Sequence, residues 1–125
     1  MQMGEKVAYC ASLEDLPSVT AKSIAEAAYA GDETARTVYK TVSEYLGRGL
    51  STVIDIINPE LIILGSIYGR SRDLIEEHML RVIREESITY SAKACKIVPA
   101  MLSENIGDMA ALVLGAEASR KPDIR

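Results

Sequence analysis

The residues best placed to do chemistry are Gly65, Ser66 and Ile67, which follow the aliphatic run Leu61-Ile62-Ile63-Leu64. A continuous apolar run of this length, bounded by Pro59 and Gly65, reads as a strand buried on both faces, as in a parallel sheet flanked by helices. In open α/β sheets ligands bind beyond the carboxyl ends of the strands. A glycine there lets a ligand approach the backbone with no Cβ in the way. The chemistry this predicts is binding, not bond-making, and the plain structural alternative is a tight exit from a strand. A second short strand, Lys96-Ile97-Val98-Pro99, leads into Ala100-Met101-Leu102, which opens on the same edge. Beyond it, Gly107, Ala110 and Ala111 are small enough either to shape a slot or to pack a helix on the sheet.

Other chemistries find little support. The acidic pairs Glu14-Asp15, Asp32-Glu33, Glu76-Glu77 and Glu85-Glu86 could in principle run acid/base catalysis. Most lie at helix starts or on helix faces, where solvated surface is the expected role. Asp108, after Gly107, is read as a helix N-cap. Cys10 and Cys95 have neither close spacing nor a neighbouring His, so neither a zinc knuckle nor a disulfide framework is suggested. His78, the single histidine, is read as a half-exposed helix residue. No phosphate-gripping glycine loop or nucleophile elbow is present. No residue is assigned a catalytic or metal-binding role.

The elements that must position the strand exit follow from periodicity and caps. Residues 1–19 read as a lead-in, whose only apolar cluster is Val7-Ala8-Tyr9. Thr20 then caps a helix from Ala21 to Ala30, and Gly31 ends it where a left-handed turn costs least. Asp32 caps the next helix, from Glu33 to Ile57, with Ala35, Val38, Val42, Tyr45 or Leu46, Leu50, Val53 and Ile57 as its apolar stripe. At ~1.5 Å per residue it runs across most of a small domain. Gly47 and Gly49 weaken it by about 1 kcal/mol each, so close packing or a bend is expected there. Asn58-Pro59 stops it. A helix from Arg72 to Glu86 links the two strands, which makes them a right-handed crossover pair. The last helix runs from Met109 to Ala118, with Ala110, Ala111, Gly115 and Ala116 suited to intimate packing. Residues 119–125 form a frayed tail.

Composition sets the class. The 125 residues are 48% hydrophobic and 26% charged, as in a soluble one-domain protein. With 14 basic against 18 acidic residues the net charge is -4, and the basic residues form no stripe, so direct contact with nucleic acid is not expected. No apolar run reaches the roughly 18 residues of a membrane helix, and residues 1–6 lack a signal-peptide core, which points to the cytoplasm and away from the membrane. Without Phe or Trp the core must be aliphatic, with Tyr supplying the rings.

Five blocks then occur in order: residues 20–28, 30–35, Tyr45-Leu46-Gly47-Arg48-Gly49-Leu50, Asn58-Pro59-Glu60-Leu61-Ile62-Ile63-Leu64-Gly65, and residues 107–116 from Gly107-Asp108 to Gly115-Ala116. Together they resemble the ROK family (repressors, open reading frames, kinases) over residues 20–118. The resemblance implies the C-terminal part of an actin-like (RNase H-like) α/β lobe, mostly helical with a short parallel sheet. In the complete protein it implies ATP and Mg²⁺ between two lobes and transfer of the γ-phosphate to a sugar. It further implies a partner in the N-terminal lobe that carries the catalytic aspartate and first phosphate loop, so this chain alone is expected to be inert. Gly65, Ser66 and Ile67 are its cofactor-side residues. The family places two or three consecutive glycines after the strand, whereas here Gly65 is followed by Ser66, Ile67 and Tyr68, of which Ile67 and Tyr68 are expected to add bulk beside the adenosine. The alternatives are the sugar-sensing lobe of a ROK transcriptional regulator and a structural module that forms homo-oligomers through the long helix.

Overall fold

A computed structural model describes residues 7–102 and 105–120. Local chemistry sets the element boundaries. After a short 3₁₀ turn, Leu13–Ser18, helix α1 (Ala21–Tyr29) begins at Thr20, whose hydroxyl accepts from the Ser23 amide at 3.1 Å. Gly31 leaves α1 at φ +99°, in the region that glycine adopts without a Cβ penalty. Helix α2 (Glu33–Ile57) is capped by Asp32, and its end turns left-handed at Asn58, φ 49°, before Pro59. Strand β1 (Leu61–Leu64) leads to the single-turn helix α3 (Ile67–Arg70) and then to α4 (Arg72–Glu86). A short α5 (Thr89–Ala94), strand β2 (Lys96–Pro99) and α6 (Ile106–Arg120) complete the order. Asp108 falls inside the first turn of α6 and does not cap it.

Asp32 does more than cap. Its Oδ1 accepts from the Ala35 amide at 2.8 Å, and its Oδ2 accepts from the Ala8 amide at 3.0 Å. Thus the first described residues are pinned to the start of α2, with Val7 and Cys10 buried. These amide donors favour the carboxylate and hold the Asp32 carboxyl below its ordinary range. A group whose pKa is lower folded than unfolded stabilises above its unfolded value, and that stability is lost as pH falls through the folded value. Asp32→Ala is therefore expected to flatten the acid limb of a Tm-against-pH curve. It should also speed amide exchange at Ala8. An unchanged acid limb would remove Asp32 from the pH dependence.

The centre of the fold is the crossing of α2 and α4. Ile54, Ile75 and Met79 are fully buried there, and Ser43, Gly47 and Ser51 form the α2 side of the contact. The Ser43 hydroxyl donates to the Tyr39 carbonyl at 2.6 Å and Ser51 to the Gly47 carbonyl at 2.9 Å, so neither small polar group is left unsatisfied. Arg81 of α4 reaches Glu44 of α2 at 2.8 Å, and Arg48 reaches Glu86 at 3.2 Å. These rim pairs align the helices while contributing little net energy.

The buried stripe of α2 is thus Ala35, Tyr39, Ser43, Gly47, Leu50 and Ile54, rotated from the one hydrophobicity suggests. Val42, Tyr45, Val53 and Ile57 are exposed. The reason is steric at the centre of the crossing, where α4 comes so close to Gly47 that a Cβ there would meet Met79 and Val82 at 2.8 Å. Gly47 is accordingly a packing glycine, whereas Gly49 faces open space.

The two strands pair in parallel, from Leu61 opposite Lys96 to Leu64 opposite Pro99. The ladder continues on both sides, with the Lys96 amide donating to Glu60 at 2.9 Å and Ala100 to Leu64 at 2.8 Å. Burial on both faces is not what the strands show. Ile62 and Leu64 pack on the helices, but Leu61 is 50% and Ile63 61% exposed, because helices cover one face only. Nor does α6 pack intimately: Gly107, Ala110, Ala111, Gly115 and Ala116 are all exposed, so they neither shape a slot nor seat a helix on the sheet.

Candidate functional site

At the carboxyl end of β1 the chain makes one tight turn. The Tyr68 amide donates to the Gly65 carbonyl at 3.3 Å, and Ser66, the first of the two residues between them, has φ 54° and ψ −122°. These are the angles of the first central position of a type II′ turn, a place that glycine dominates. A non-glycine residue held there stores strain, which is a recurring mark of ligand-binding turns. Gly65 itself is not at positive φ, and a Cβ added to it would meet only Ala100, at 3.9 Å. The special backbone is one residue later than the glycine suggests.

Ser66 is exposed and Ile67 half-buried, whereas Tyr68 turns inward and is 2% exposed. Its hydroxyl donates to Glu76 at 3.3 Å, and Glu76 also accepts from Arg72 at 2.6 Å. The Arg72 hydrogen bond holds the Glu76 carboxyl below its usual range, while burial and then the Glu76 charge raise the Tyr68 phenol. Tyr68 therefore underpins the turn from the inside and does not crowd it. Its expected bulk is absent from the open side; that of Ile67 is present.

Ile67 and Arg70 form one wall of a groove of about 310 Å³, with Ala21, Ala25 and Tyr29 of α1 as the other wall. Lys22 and Glu26 stand at its rim and Ser71 at its base. The Tyr39 hydroxyl ties the two walls together from below, bonded to the Ala21 carbonyl at 3.0 Å and to the Ser71 hydroxyl at 3.2 Å. The volume lies in the range of small-ligand pockets, roughly 300–1,000 Å³. The groove thus combines an apolar slot, polar ends and an adjoining turn with exposed backbone.

At least one member of each acidic pair is otherwise occupied. Asp15 accepts from Ser12, Asp32 caps α2, Glu76 holds Arg72, and Glu85 and Glu86 hold Arg81 and Arg48. No two of them converge on the groove. His78 is half-buried on α4, beside Asp73 and Arg36. Among the described residues no group of three or more His, Cys, Asp or Glu side chains is placed to hold a metal, and no helix is long and apolar enough to cross a membrane.

The profile of the ROK family matches residues 7–118. This chain belongs to the ROK family. It is 29% identical over 107 residues to the xylose repressor of Caldicellulosiruptor bescii, a match that covers 86% of this chain and 26% of the repressor. It is 26% identical over 100 residues to the DNA-binding transcriptional repressor Mlc of Escherichia coli, covering 80% of this chain and 24% of Mlc. The chain therefore spans about a quarter of the length of these curated relatives. Among solved structures it superposes on a ROK family transcriptional regulator, a homologue of E. coli Mlc, with TM-score 0.66 and 28% identity over 78% of this chain and 24% of that one. A putative sugar kinase from Cytophaga hutchinsonii gives the same TM-score at 24% identity, over 82% of this chain and 35% of the kinase, a likeness of fold. The ROK architecture accounts for the helix-rich α/β arrangement and its short parallel sheet as part of an actin-like lobe. The family match also begins earlier than the five sequence blocks, taking in the residues that Asp32 pins down.

Two parts of this site escaped the sequence reading. The α1 wall carries no motif, since Ala21, Ala25 and Tyr29 look like ordinary helix residues. The strain at Ser66 is invisible because serine does not advertise a positive φ.

Proposed function

We propose that this chain is the nucleotide-side lobe of a ROK-family sugar kinase, and that the groove between α1 and α3 receives the adenosine of ATP in the complete protein. The observation that carries this reading is the strained II′ turn at Ser66, opening beside a nucleoside-sized groove at the carboxyl end of a parallel strand. Ile67 and the α1 alanines offer the flat apolar walls a purine needs, and the exposed turn backbone offers hydrogen bonds. In this reading the groove residues bind and orient. The acid/base chemistry, the phosphate loops and the Mg²⁺ ligands belong to a partner lobe. The exposed faces of α2, β1 and α6 are the surfaces that meet the rest of the protein, which works in the cytoplasm.

A second reading is the same lobe in a ROK transcriptional regulator, with sugar occupancy as its signal and nucleotide no longer required. The repressors among the relatives and the serine at a glycine position favour it.

Hydrogen exchange separates the two. Under the kinase reading, millimolar ATP slows amide exchange across Ile67–Arg70 and along α1, and more so in Ser66→Gly. That substitution should also raise stability by about 1 kcal/mol through relief of backbone strain. Unchanged exchange in both proteins would end the kinase reading and leave the regulator.

A further inference from the structure

Toward the C-terminal ends of α2 and α4 a second, open hollow of about 450 Å³ is lined by α2, α4, α5 and β2. We propose that it is a binding site for a small aliphatic carboxylate. Its floor is hydrocarbon: Ile54 of α2, Leu80 and Ile83 of α4, and Ile97 of β2. Its mouth is cationic, with Arg84 and Lys93 on opposite helices.

Charge bookkeeping selects the ligand class. The other arginines of α4 are committed, Arg72 to Glu76 and Arg81 to both Glu44 and Glu85. Arg84 and Lys93 have no ion pair among the described residues, although the chain carries a net charge of -4 and has acids to spare. Two unpaired cations over an apolar floor are matched by a ligand with one anionic end and a hydrocarbon body. A guanidinium and an ammonium give a carboxylate strong, charge-assisted donors. The apolar walls then set the preferred chain length. A neutral or dianionic polar metabolite would leave one half of the site unmatched.

The hollow also contains its own reporter. Cys95 lines it, and Cys10, the other cysteine of the chain, is buried and donates to the Ser12 carbonyl at 3.1 Å. In the folded protein the thiol that reacts with iodoacetamide is therefore Cys95. Octanoate is expected to slow that reaction, and its affinity should exceed that of butanoate by about fourfold for each added methylene. Arg84→Gln combined with Lys93→Gln should weaken octanoate by at least about tenfold. Both side chains are exposed at the last turns of their helices, so the thermal midpoint of the unliganded double variant should fall only slightly. Octanoate that fails to protect Cys95 would overturn the site. So would equal protection by 1-octanol, or protection that survives in the double variant, since either removes the cations from recognition.

Discussion

Gly47→Ala is expected to destabilise the protein while Gly49→Ala, two residues along the same helix, stabilises it. Both substitutions replace an α2 glycine by the best helix former, a gain of about 1 kcal/mol if nothing else changes. At Gly47 something else does change. A Cβ there would lie 2.8 Å from the Met79 carbonyl oxygen and 2.8 Å from the Val82 Cβ, and the first of these is α4 backbone that cannot swing aside. Forcing α2 and α4 apart spreads the contact around Ile54, Ile75 and Met79, and overpacking of this kind costs typically 1–3 kcal/mol. At Gly49 the added methyl meets nothing within 4 Å, so the gain in helix propensity, roughly 0.5–1 kcal/mol, stands alone. Denaturant unfolding of the two variants should move the midpoints in opposite directions. Two shifts of the same sign would mean that α2 and α4 do not cross at Gly47.

The same pair of glycines shows what the sequence could and could not reveal. Their cost to the helix was legible, and so was an explanation in close packing, but which of the two packs was not. Two stripes run along α2, sharing the buried Ala35 and Leu50, one through Val38, Val42, Tyr45 and Val53, the other through Tyr39, Ser43, Gly47 and Ile54. Hydrophobicity favours the first. The fold buries the second, because a close helix crossing selects for small volume, and serine hydroxyls can bond their own helix carbonyls. Boundaries fared better than faces. Glu33–Ile57, Arg72–Glu86 and both strands lie where caps, proline and aliphatic runs put them, since those signals act within a few residues. The single turn α3 and the six-residue α5 are too short to show a period. The exposure of Leu61 and Ile63 was also out of reach, because an apolar run states what a strand can bury and not what this chain supplies to cover it.

For the candidate site, the strand exit was legible and its second wall was not, and the residue that joins them makes the remaining large prediction. Tyr39→Phe keeps the buried ring and removes only the hydroxyl that bridges the Ala21 carbonyl on α1 and the Ser71 hydroxyl at the start of α4. The bond to Ser71 is buried, so water does not readily take it over, whereas the Ala21 carbonyl, on an exposed residue, can be rehydrated. Leaving the buried Ser71 hydroxyl short of a partner costs about 1–3 kcal/mol. The loss should also be local. α1 is a nine-residue helix that would not persist alone in water, and among the bonds holding it to the body this one lies directly beneath the groove. Amide exchange in Tyr39→Phe should therefore rise in α1 by more than in α4, and any nucleotide protection at Ile67–Arg70 should weaken with it. A uniform rise through α1, α2 and α4 would instead make Tyr39 a general core residue and detach the α1 wall from the turn. A rise confined to α1 accompanied by undiminished ATP protection would place nucleotide contact on the Ser66 turn alone, with the groove taking no part.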